Sequence, residues 1–274
     1  MRSSRRRAAR LAAFVAAFAA ACASAAVDID ALWEYADPAA SEARLRGELG
    51  SAHGDDRLEL LTQVARTYSL RGRFADAHRV LDEVEPALAH AGPRPRVRYL
   101  LERGRTFNSA GDPARARRLF LEAVEDARKA GEEGLEVDAV HMVAITWGEG
   151  ERGLEWNRRG LALAARSQDA KARSLVPAML NNSAWDLFAM HRYDESLAAF
   201  REAERAWSRR GGPVQVAVAK WSVAYCLRAL GRAPEALAIL VPLVAAAPDA
   251  QVRSDVLEEI ALDTEAIAGL AARP

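Results

Sequence analysis

Five stretches of this chain repeat one order of small, large and turn residues, and that recurrence limits the fold more than any other feature. One stretch runs Leu61, Ala65, Tyr68, Gly72, Phe74, Ala77, Leu81, Val84, in steps of 4, 3, 4, 2, 3, 4 and 3. The steps up to Tyr68 are those of one helix face, and the steps after Phe74 are those of a second. The same steps give Leu100, Gly104, Phe107, Gly111, Pro113, Ala116, Phe120, Ala123, and again Leu180, Ala184, Leu187, His191, Tyr193, Ser196, Phe200, Ala203. A further copy holds Ala224, Leu227, Gly231, Ala233, Ala236, Leu240 and Leu243, with Lys220 in the opening apolar position and Trp221 beside it. The remaining copy, between these, places Val137, His141, Ala144, Gly148, Gly150, Gly153, Asn157 and Gly160 in register. Its small residues predict a softer or differently packed unit.

Each position has a physical reason. A turn glycine adopts a positive φ and lets the chain reverse within two or three residues. Small residues such as Ala65, Gly104, Ala77 and Ala116 let helix axes approach, while Tyr68, Phe107, Leu81 and Phe120 fill the space between pairs. One helix pair cannot bury its apolar faces alone, and stacking several does. The composition agrees: Ala, Leu, Arg and Glu are abundant, half the residues are hydrophobic and only 7% are aromatic, so the class is all-α.

The pattern resembles the tetratricopeptide repeat family, whose signature is Trp-x2-Leu-Gly-x2-Tyr, then Ala-x3-Phe, then Pro. The matching residues include Gly104 and Phe107 with Ala116 and Phe120, and Tyr68 with Ala77. The turn residues Gly72, Gly111, Gly148, His191 and Gly231 are 39, 37, 43 and 40 apart. The usual unit is about 34. The expectation is an α-solenoid of antiparallel helix pairs with extended repeats of about 40 residues; armadillo and HEAT arrays, of similar period, are the alternative. Residues 58–250 hold the five repeats, 28–57 a capping segment with Leu32, Trp33 and Tyr35, and 251–274 a capping helix. That last helix is expected to show Asp255, Glu258, Glu259 and Asp263 to water.

The first 25 residues read as an export signal. Arg2, Arg5, Arg6, Arg7 and Arg10 precede an apolar run from Leu11 to Ala21, and Ala23-Ser24-Ala25 suits a signal peptidase. Cys22 is a candidate for lipidation, although a bacterial lipobox carries Leu where this chain has Ala19. Twin-arginine export, suggested by Arg5-Arg6, is weakened by Ala8 and Ala9. An amphipathic N-terminal helix is the other reading, though the run shows no polar face. Without that segment, 33 basic residues (38 less five) face 38 acidic ones, a net charge of −5, which disfavours DNA and anionic membranes as partners. The membrane enters only through the candidate anchor, and the expected location is the periplasm or cell envelope.

Motifs for chemistry are weak. Gly148-Glu-Gly150-Glu-Arg-Gly153 matches a dinucleotide-binding string by letter, but no strand precedes it and the two glutamates would repel a pyrophosphate. The five histidines are scattered, and Cys226 sits in an apolar helical stretch, as a small buried hydrophobe does. No cofactor, metal or catalytic residue is expected. By resemblance to the family, the first helix of each repeat lines an inner face, and residues one, five and eight places after the opening position point into it. These include Arg66; Arg105 and Asn108; Asp138; Asn181 and Trp185; and Trp221, Tyr225 and Arg228. The groove so formed is expected to be basic at its N-terminal end and aromatic at its C-terminal end, suited to a protein or peptide partner. The function expected is a non-catalytic binding scaffold, with a sensory input module of a signalling system as the alternative.

Overall fold

All five turn residues carry backbone in the left-handed region: φ is 71° at Gly72, 89° at Gly111, 67° at Gly148, 58° at His191 and 73° at Gly231. The computed structural model that shows this describes residues 27–271. The export signal read over residues 1–25, with Cys22, lies outside them.

The helices are α1 (Pro38–Glu48), α2 (Gly54–Leu70), α3 (Phe74–Val84), α4 (Pro93–Ser109), α5 (Pro113–Ala130), α6 (Glu133–Thr146), α7 (Glu151–Arg166), α8 (Ala170–Ser174), α9 (Val176–Ala189), α10 (Tyr193–Arg210), α11 (Pro213–Ala229), α12 (Ala233–Ala246) and α13 (Ala250–Ala271). The pairs α2/α3, α4/α5, α6/α7, α9/α10 and α11/α12 each straddle one turn residue. In four turns the N–H of the residue after the left-handed one donates to a carbonyl five residues back: Arg73 to Tyr68, Asp112 to Phe107, Arg192 to Leu187 and Arg232 to Leu227, each at 2.9 Å. This closes the first helix of each pair with the bond of a Schellman cap. In the third turn Gly148 donates to Ile145, and Gly150 carries a second positive φ of 134°.

Small residues do the work the register assigns them. A Cβ on Gly104 would run into the ring of fully buried Phe120, and one on Gly160 into the Met179 sulfur at 2.5 Å. The third pair is packed differently: Gly153 lies against the Asp186 carboxylate, which accepts from Gly150 N–H at 3.0 Å and Asn157 Nδ2 at 2.9 Å. The spacing of 43 between Gly148 and His191 has its cause in α8, a single extra turn capped by Asp169, whose carboxylate accepts from Lys171 N–H at 2.6 Å.

The core divides along the stack. One cluster runs from Ile29 to Val143 and another from Ala184 to Val256, with a small group of Val137, Ala164, Ala172 and Met179 at the joint. Among the described residues no helix is long and apolar enough to cross a membrane. One expectation for α13 needs correction. Asp255 and Glu258 are exposed, but Glu259 and Asp263 are buried, because they continue the stripe of Val252 and Val256 that packs inward.

Candidate functional site

The first helices of the pairs present a common face, and a cavity opens towards each end of it. The N-terminal cavity, about 400 Å³, lies over α2, α4 and α6 and includes Gln63, Arg66, Glu102, Arg105 and Asp138 in its lining. Its charges are compensated from within. Arg105 donates to Glu102 at 2.7 Å and to Asp138 at 2.5 Å, and Arg66 donates to the same Glu102 oxygen at 3.3 Å. Burial pushes the Asp138 carboxyl up, but Arg105 and Arg66 outweigh it and hold the pKa at about 2. Burial likewise opposes the Arg105 charge, and Asp138 with Glu102 raises its pKa above the usual value. The expected basic end is therefore a neutralised network. The i, i+3 spacing of Glu102 and Arg105 was the available sign of it.

This cavity also has a roof. Residues 27–37, with a short 3-10 turn at Asp30–Leu32, cross the face ahead of α1. Trp33 Nε1 donates to Gln63 at 3.2 Å, Trp33 and Tyr35 stack with centroids 4.9 Å apart, and the Arg66 guanidinium lies 5.6 Å and 5.8 Å from the two ring centres. At the far side Asp30 pairs with Lys171 on α8 at 3.0 Å. No local pattern marks where this strap lies, since the contacts that hold it over the cavity, to Gln63, Arg66 and Lys171, are to residues distant in sequence.

The C-terminal half is aromatic. Trp185 meets Phe188, Phe200, Trp221 and Tyr225 at centroid distances of 5.7, 4.9, 6.2 and 5.5 Å, and Trp221 lies 5.2 Å from Tyr225. These rings both pack and line: Trp185, Trp221 and Tyr225 are half-buried, and Trp221 and Tyr225 open into a cavity of about 490 Å³ between α11 and α13. Arg228 is drawn to Glu259 at 2.6 Å and lies 5.1 Å from the Tyr225 ring centre. The nine residues named for this face thus form no continuous strip. Arg66, Arg105 and Asp138 share one cavity, Trp221, Tyr225 and Arg228 share the other, Trp185 stands between, and half-buried Asn108 and Asn181 line neither.

This architecture is a TPR-like helical solenoid. Among solved structures, the nearly identical TPR-like repeats of a Podosopora anserina protein assigned as a kinesin light chain align at TM-score 0.57 and 18% identity, over 71% of this chain and 96% of that one. The signal-transduction ATPase with a tetratricopeptide repeat sensor from Pyrococcus horikoshii aligns at TM-score 0.61 and 13% identity, over 83% of this chain and 39% of that one. NprR in complex with its cognate peptide NprX aligns at TM-score 0.58 and 14% identity, over 89% of this chain and 72% of that one. No protein-family model matches the chain, and no curated protein matches its sequence.

Proposed function

We propose that this chain is a non-catalytic scaffold of the cell envelope that binds a protein or peptide segment on its inner face, chiefly at the aromatic C-terminal end. The observation that carries the reading is the Trp185–Trp221–Tyr225 cluster opening into the cavity between α11 and α13. Large rigid rings with one face packed and one free are the groups that dominate binding hot spots. NprR, solved with its cognate peptide, gives a precedent for peptide binding on this fold. In pull-downs from the native envelope, Tyr225→Ala and Trp221→Ala are expected to abolish capture of the bound partner while helicity by circular dichroism is retained. Capture that is unchanged by both variants overturns the groove assignment.

The basic and apolar character of the first 25 residues supports export. Mapping the mature N-terminus tests it: a start at Ala26 indicates simple cleavage, a lipid-modified start at Cys22 indicates an anchored form, and an intact Met1 overturns export. A sensory input role is the second reading, favoured by the fold likeness to a tetratricopeptide repeat sensor. It predicts that the captured partner is a signalling protein whose output changes on peptide binding.

A further inference from the structure

We propose that the cavity between α11 and α13 takes a peptide segment presenting a lysine or arginine side chain beside apolar residues. The proposal rests on the groove reading above and specifies its ligand. Along this cavity α13 contributes the carboxylates of Asp255, Glu258 and Glu259, while Arg228 from α11 is the one cation in the lining. That single guanidinium is already engaged, its Nε and Nη2 donating to Glu259 at 2.6 and 3.3 Å. Asp255 and Glu258 are exposed and take part in no ion pair among the described residues. Three carboxylates against one guanidinium leave a formal excess of −2 (1 − 3).

Behind these carboxylates the helix carries a further acid. Asp263, one helical turn beyond Glu259 on the same stripe, is fully buried, and neither of its oxygens has a hydrogen-bond partner among the described residues. Burial, reinforced by the Glu259 charge, pushes its carboxyl up to about 6 in spite of Arg228.

The rest of the cavity suits the stem and neighbours of a cationic residue. The half-buried rings of Trp221 and Tyr225 offer π-faces that attract a cation, and Val218 and Leu262, 43% and 40% exposed, offer apolar contact. An acidic segment would meet like charge here. A wholly apolar one would strip water from Asp255 and Glu258 and leave them unpaired.

Selection of a displayed random heptapeptide library on the purified full chain tests this. The expected result is enrichment of Lys or Arg flanked by aliphatic or aromatic residues. Synthetic versions should bind the Asp255→Asn/Glu258→Gln double variant about tenfold more weakly, and a Lys→Gln change in the peptide should cost as much. Both substitutions sit at exposed positions, so helicity is expected to persist. Enrichment of acidic or uncharged peptides whose binding is lost in Trp221→Ala overturns the proposal and leaves the groove reading intact. Peptides that bind Trp221→Ala and Tyr225→Ala as well as the original chain overturn both, as does a library that yields no binder.

Discussion

Among the described residues Asp263 is the one side chain with two buried, unpartnered oxygens, those of its carboxylate on α13. Because burial and Glu259 raise its pKa from 3.8 to about 6, the folded chain holds this proton more readily than the unfolded chain. Its destabilising effect is therefore absent below the unfolded value and complete once pH exceeds the folded one. Asp263→Asn is expected to raise stability at pH 7 to 8 by on the order of 2 kcal/mol, with the gain vanishing near pH 4 in urea melts. Asp138 has the opposite sign. Held at about 2, it supplies stability above its ordinary range that is lost as pH falls towards 2. Arg105 is the keystone of that network, since Arg105→Ala would leave Glu102 and Asp138 buried without their fork. A loss of about 3 kcal/mol is expected from the shift in denaturation midpoint. Arg105→Lys, which keeps the charge but cannot span both carboxylates, is expected to recover only part of it.

The turns between paired helices obey a local rule, and for that reason they were readable. A left-handed residue must follow the first helix, and four of the five positions carry Gly. His191 is the exception, the one non-glycine with positive φ among the described residues, and its ring meets the Tyr193 hydroxyl at 2.7 Å. Gly111→Ala is expected to cost about 1 kcal/mol, whereas His191→Gly should be neutral or stabilising by up to about 1 kcal/mol. Urea denaturation of the two variants side by side checks this. Gly104→Ala should lose about 1–3 kcal/mol for a different reason, the collision with Phe120. The small and large positions of the register were equally legible, since helical spacing alone sets which residues share a face. Nothing in that periodicity announces α8, whose only trace is the longer spacing before His191. Nor does it announce that Glu102 and Asp138 neutralise Arg66 and Arg105, which depends on how α2, α4 and α6 stack.

Along the solenoid as a unit, stability is a sum over neighbouring pairs, so the weakest interface sets where it opens first. The division of the core at the joint after α7, with the five-residue α8 spanning it, marks that place. Hydrogen exchange is expected to show α8 and the start of α9 losing protection before α4, α5 or α11; uniform protection would contradict the division. That Trp185, Trp221 and Tyr225 gather was legible through the family resemblance, which sets them at equivalent positions of neighbouring first helices. The strap was not, because it is made of contacts between the N-terminal segment and residues far along the chain.

That strap changes the mechanics of the array. A stack of helix pairs behaves as a spring whose radius follows small tilts at each interface. With Trp33 bonded to Gln63 on α2 and Asp30 paired with Lys171 on α8, the strap bridges the arc made by the first three pairs and braces it weakly against widening. The pairs beyond α8 carry no such tie among the described residues. Any adjustment around an incoming segment is then expected to fall first on the half that bears the aromatic rings.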